Sequence, residues 1–253
     1  MRGTGVERRA EVVQRLAEQM RAVRVGAYAA EPDGGEFFST GVPELDEWLP
    51  QGGMPRRGLV EWLGEWGGGA WTLGVKAAAN AVAEGGKVVV VDPRGEFYPP
   101  AARLWGLDPA ELLLVRPPTV AEAVWAMDEA LRCKAVGVVV GIVERLDHRF
   151  SRKLQLAAEA GGRPCLLFRP ASARNEPSWA EIRWLVRPLP SNSPLTRLVE
   201  VGLLRCRGHQ AEQPSMWLEI DDAAGTVRVV PELAVAASSP RSTRTAPHAA
   251  RAV

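Results

Sequence analysis

Four short apolar runs constrain this chain more than anything else in it: KVVVVD (87–92), LLLVRP (112–117), AVGVVVGIV (135–143) and RPCLLFRP (163–170). The runs at 87–92 and 135–143 are continuously apolar, as expected of strands covered on both faces. Helical stretches alternate with the four runs. WTLGVKAAANAVAEGG precedes the first and stops at Gly85-Gly86. PPAARLWGL follows it, and TVAEAVWAMDEALRCK (119–134) opens with Thr119 as a cap and Glu122 three residues on. SRKLQLAAEAGG reads as a helix opened by Ser151. Upstream, a short helix at 43–49, a glycine turn and a strand at 58–63 complete the pattern. Such alternation predicts an α/β fold, a mainly parallel central sheet flanked by helices with right-handed crossovers.

After residue 180 the character changes. EIRWLVRPLP, TRLVEVGLLRCRG (196–208) and SMWLEIDDAAGTVRVVP (215–231) read as antiparallel strands, with DDAAGT as a hairpin turn. The core domain is expected over 37–232. Ahead of it, 1–28 carries an amphipathic helix (6–25) with Val6, Val13, Leu16, Met20 and Val23 on one stripe. That helix docks either on its own domain or on a partner. The tail 233–253 is low in complexity and mildly basic, and reads as disordered.

With 46% hydrophobic and 24% charged residues, a sizeable core can form, and a net charge of +1 gives no bulk argument for nucleic acid or membrane. Three cysteines and three histidines lie without metal-ligand spacing, so no metal site is expected. No stretch approaches the roughly 20 apolar residues of a membrane span, and the expectation is a soluble, cytoplasmic protein.

The stretch GEWGGGAWT (64–72) lies between strand and helix and begins like a phosphate-binding loop. Such a loop converges backbone N–H groups on phosphate oxygens at a helix N-terminus, adds a lysine for the outer phosphates, and supplies a hydroxyl to magnesium. Gly64, Gly67, Gly68 and Gly69 could preserve the turn, but Ala70 and Trp71 stand where the lysine and hydroxyl belong. Thr72 comes one position late and Lys76 lies well along the helix. Gly141 occupies the strand end where a magnesium-holding aspartate is expected, leaving Asp92, with Arg94 and Glu96 after it, as the acid in a comparable place. A tight turn without ligand explains the glycines as well as residual nucleotide binding does. No ATPase activity is expected, and no cofactor is assigned.

Taken together, FSTGVPELDEWLPQGGMPRRGLVEWLG, RGEFYPPAARLWGLDPAELLLVRP, AVWAMDEALRCKAVGVVVGIVERLDHRFSRKLQLAAEAGG, VGLLRCRGHQ and SMWLEIDD resemble the RecA-like P-loop fold. More specifically they resemble ImuA, a RecA-related accessory family of bacterial mutagenic translesion synthesis. The resemblance covers about residues 37 to 232 and implies a non-catalytic role after SOS induction. The implied partners are an ImuB-type Y-family polymerase homologue, RecA and, indirectly, an error-prone C-family DNA polymerase, with localisation at the nucleoid when active. It places the degenerate phosphate loop at Gly64–Thr72, the degenerate second strand motif at Val138–Gly141 and the first-strand acid region at Asp92–Glu96. Arg94 stands where recombinases carry a catalytic glutamate.

With the chemistry removed, function is expected in surfaces. Trp48, Trp62 and Trp105 suit core positions, whereas Trp66 and Trp71 sit in the loop itself. These two rings either fill a vacated pocket, the favoured reading, or stand exposed as anchors for a partner or a base. Arg145, His148, Arg149, Arg152 and Lys153 follow the third run beside Phe150, where a recombinase would contact single-stranded DNA. A solvated helix start explains them more simply. NEPSW (175–179) falls near a second such loop. Two other readings stand beside the accessory role: a SulA-like cell-division inhibitor acting by protein contact, and a nucleotide-binding switch in which Lys76 replaces the missing lysine.

Overall fold

The computed structural model describes residues 36–191, 193–208 and 215–231. The amphipathic helix expected at 6–25, the linker expected at 29–36 up to its last residue, and the tail expected over 233–253 lie outside the described residues. A nine-stranded sheet runs through the described chain in the order β11-β10-β9-β8-β3-β7-β6-β4-β5. Its strands are β3 (Leu59–Gly64), β4 (Lys87–Val91), β5 (Leu112–Val115), β6 (Val136–Ile142), β7 (Cys165–Arg169), β8 (Ile182–Leu189), β9 (Thr196–Cys206), β10 (Ser215–Asp221) and β11 (Thr226–Val230). β5, β4, β6, β7, β3 and β8 are mutually parallel, and β9, β10 and β11 extend the sheet antiparallel. A two-stranded ribbon, β1 (Phe37–Phe38) with β2 (Met54–Pro55), precedes it. The expected α/β architecture, parallel core and antiparallel C-terminal strands, is therefore present.

The four apolar runs are continuous because both faces of the sheet are covered. Val88 and Val90 point into one core layer with α1 (Pro43–Asp46), α2 (Ala70–Ala81) and α3 (Pro99–Leu104). Val89 and Val91 point into the other, with α4 (Val120–Leu131) and α5 (His148–Gly161). The first layer runs on beneath the antiparallel strands through Val199, Val201, Leu218 and Ile220. Trp62 and Trp184 stack at 5.5 Å within it, and half-buried Trp48 stacks on Trp184 at 6.2 Å.

Local chemistry sets the helix ends, and several differ from the expected ones. α4 begins after Thr119, whose Oγ1 accepts from the Glu122 amide at 3.2 Å and donates to the Glu122 carboxylate at 2.8 Å. α5 begins at His148 rather than Ser151, because Asp147 is the cap and accepts from the Arg149 amide at 2.6 Å. Ser151 is buried instead, accepting from the Trp179 amide at 3.1 Å. The helix expected through 49 closes at Asp46, and the one expected through Gly86 closes at Ala81.

One polar cluster lies inside the sheet. Glu61 of β3 is fully buried and pairs with Arg169 of β7 at 3.3 Å and Arg183 of β8 at 2.7 Å. Ser178 donates to Glu61 at 2.8 Å, and Arg183 also donates to the carbonyls of Ala173 and Arg174. Buried charges persist only when paired and hydrogen-bonded. This network therefore fixes the segment after β7 against the central strands.

Candidate functional site

β3 ends at Gly64 and α2 starts at Ala70, so the glycine loop caps a helix at the C-terminal edge of the parallel strands. In open α/β sheets that edge is where ligands bind. Gly69 is the cap residue with φ of 97°, a conformation that L side chains rarely adopt. A Cβ there would also lie 2.7 Å from Val199 Cγ1 of β9. The glycine is thus accounted for by turn geometry and packing, with no ligand needed.

The loop is tied from the side. Arg197 of β9 donates from Nη1 to the Gly67 carbonyl at 3.0 Å and from Nη2 to Thr72 Oγ1 at 2.8 Å. Asp222, just beyond β10, holds that guanidinium in a fork, with Nε to Oδ2 at 2.6 Å and Nη2 to Oδ1 at 2.5 Å. The hydroxyl nearest to a magnesium-ligand position is therefore already engaged. Sequence reasoning missed Arg197: in TRLVEVGLLRCRG it is one charge among alternating residues, and its partners lie far away along the chain.

The acids that phosphoryl transfer would need are absent or occupied. Asp92 is fully buried. Its Oδ1 accepts from the Arg94 and Gly95 amides at 3.2 and 2.9 Å, and its Oδ2 from Phe97 at 2.8 Å. It organises the turn after β4 and does not line the cleft described next. At Gly141 a Cβ would sit 2.3 Å from Met127 Sδ and 2.9 Å from Leu167 Cδ2, so no carboxylate fits there. Lys76 packs over Gly41, where a Cβ would meet its Cγ at 2.8 Å, and does not line the cleft either. Among the described residues no group of His, Cys, Asp and Glu could hold a metal ion.

Beyond the ends of β3, β6 and β7 lies a cleft of about 450 Å³, walled by Trp62, Ala70, Trp71, Ile142 and Phe168. Trp71 is half-buried, with its ring 4.3 Å from Phe168 and 5.2 Å from Phe97. Trp66 is 54% exposed and meets Trp71 at 5.8 Å. The favoured expectation that both rings fill a vacated pocket is thus corrected. Trp71 packs into the wall, Trp66 stands on the rim, and open volume remains. Charge gathers at the cleft's polar edge, where Arg94 pairs with Glu96 at 2.6 Å and also with Glu144, beside exposed Glu65.

The basic residues after β6 are placed mostly on α5 and are partly engaged. Arg152 lies 4.3 Å over the Trp179 ring, and His148 meets the same ring at 5.3 Å. Lys153 pairs with Asp128 at 3.2 Å, sharing it with Arg132. Arg145 and Arg149 are exposed, on the loop and first turn. The structure thus brings Gly64, Gly67, Gly68, Gly69, Thr72, Trp66 and Trp71 together at one sheet edge. Of NEPSW, Ser178 and Trp179 serve internal contacts.

Comparison with known proteins bears on the same region. The RecA N-terminal domain model matches residues 20–148. The chain is 34% identical over 128 residues to Protein RecA of Streptomyces venezuelae, covering 51% of this chain and 33% of that protein. It is 34% identical over 118 residues to Protein RecA of Nocardia farcinica, covering 47% and 33%. With Protein RecA of Chlorobium limicola the identity is 37% over 105 residues, covering 42% and 30%. The chain thus spans about a third of the length of the relatives it matches.

Proposed function

Because this chain belongs to the RecA N-terminal domain family, we propose that it is a non-catalytic RecA-fold accessory protein of SOS-linked, error-prone translesion DNA synthesis. In this reading it acts by protein contacts with an ImuB-type polymerase homologue and with RecA. The observation that carries the reading is the state of the former phosphate site. Ala70 and Trp71 replace the cation and the hydroxyl, Arg197 engages Thr72, and Met127 fills the space a magnesium-holding aspartate would need. Phosphoryl transfer depends on positioned cations and metal around the transferring phosphate. A site without them is left with shape, and shape serves binding.

The test has two arms. The purified chain with ATP, magnesium and single-stranded DNA is expected to show no turnover above background. Co-expressed with an ImuB-type homologue it is expected to co-elute as a stable complex. Turnover by clean preparations, lost on substitution of a cleft residue, overturns the non-catalytic half. Separate elution of the two proteins overturns the partner.

A further inference from the structure

We propose that the cleft at the end of β3, β6 and β7 receives an apolar side chain flanked by lysine or arginine, presented by a segment of a partner protein. The inference rests on the non-catalytic reading and names what the vacated site takes instead. Its wall is aromatic and aliphatic, from Trp62, Trp71, Ile142 and Phe168, and 450 Å³ falls within the range of about 300–1,000 Å³ that small-ligand pockets occupy. An apolar group entering it is removed from water against rings already fixed by packing.

The charge at the cleft decides what accompanies that group. Glu65, Glu96 and Glu144 line it against Arg94. Arg169 also lines it, but its guanidinium is engaged by Glu61 and Glu176. Among the described residues that line the cleft, a triphosphate would meet three carboxylates and no cation that is not already paired. A lysine or arginine would meet complementary charge and, in Trp66, an exposed ring face suited to a cation. Arg94 already shows the arrangement from within, its guanidinium held between Glu96 and Glu144. It is an internal stand-in that an incoming cation must compete with.

The experiment uses the full chain and tetrapeptide probes, acetyl-Gly-Phe-Arg-Gly-amide against its Phe-Glu and Ala-Arg counterparts, followed through the indole N–H resonances of Trp66 and Trp71. The Phe-Arg peptide is expected to bind at least tenfold more tightly than either counterpart. Trp66→Ala is expected to weaken it several-fold, and Arg94→Ala to strengthen it several-fold by freeing Glu96 and Glu144. The strengthening is a readout that mere loss of folding cannot produce. Equal binding of the Arg and Glu peptides, equal binding of the Ala-Arg peptide, or no shift at these indoles overturns the proposal. Tighter peptide binding after removal of 234–253 would identify the chain's own tail as occupant, and peptide-reversed self-association would identify a second copy; either overturns the partner assignment. Failure of peptide discrimination leaves the absence of ATP turnover standing, and displacement of the peptide by ATP overturns this proposal alone, since only turnover overturns the non-catalytic reading.

Discussion

At the scale of single residues, Asp92 is a structural acid in a position that suggests a chemical one. Three backbone N–H groups converge on its carboxylate, and removing it leaves the buried Phe97 amide without an acceptor and frees the turn at Arg94 and Gly95. Asp92→Ala should cost about 3 kcal/mol, since an orphaned buried donor costs roughly 1–3 kcal/mol. In thermal denaturation that corresponds to a fall of about 6–12 °C at this chain length. Glu181, before β8, offers a pH test. Burial pushes its carboxyl above the ordinary value of 4.5, Arg207 opposes the rise and Glu159 adds to it. The folded chain therefore holds this proton more tightly than the unfolded chain does. The stabilisation is complete below the ordinary carboxylate value and is lost as pH rises past it. Glu181→Gln should melt above the wild type at pH 7 and together with it near about pH 4, as read from melting curves across that range.

Among elements, packing between β6 and α4 explains why one motif cannot be restored. Met127 and Leu167 close over Gly141. Gly141→Asp should lose about 3 kcal/mol or more through overpacking and an unpaired buried charge, with no gain in magnesium or nucleotide binding. Urea denaturation with and without magnesium measures both. The core strands were legible because burial on two faces leaves a signal that needs no partner information: KVVVVD and AVGVVVGIV can be little else. Thr119 with Glu122 was legible for the same local reason. The start of α5 was not. Asp147 and Ser151 are both good caps, and Ser151 is drawn into the interior by Trp179, a contact from beyond β7.

For the molecule as a whole, the site was legible in what it lacks and illegible in what replaced it. The loss of lysine and hydroxyl is written at Ala70 and Trp71. The tie that closes the loop is not, because Arg197, Asp222, Gly67 and Thr72 meet only once the antiparallel strands have wrapped back onto the parallel core. Arg197→Ala should lower stability by about 1 kcal/mol, discounted because both members of the ion pair are partly exposed, and melting should fall by about 2–4 °C. Asp222→Ala added to it should cost little more, and a double-mutant cycle measures that coupling.

The fork between Arg197 and Asp222 also makes the two ends of the fold answer for each other. A turn that in a motor must yield to each incoming phosphate is here fastened to a hairpin far along the sequence. Shortening the protein behind β8 would therefore unsettle the front of α2 first, and returning a lysine to position 70 would meet a cradle that is already closed from the side.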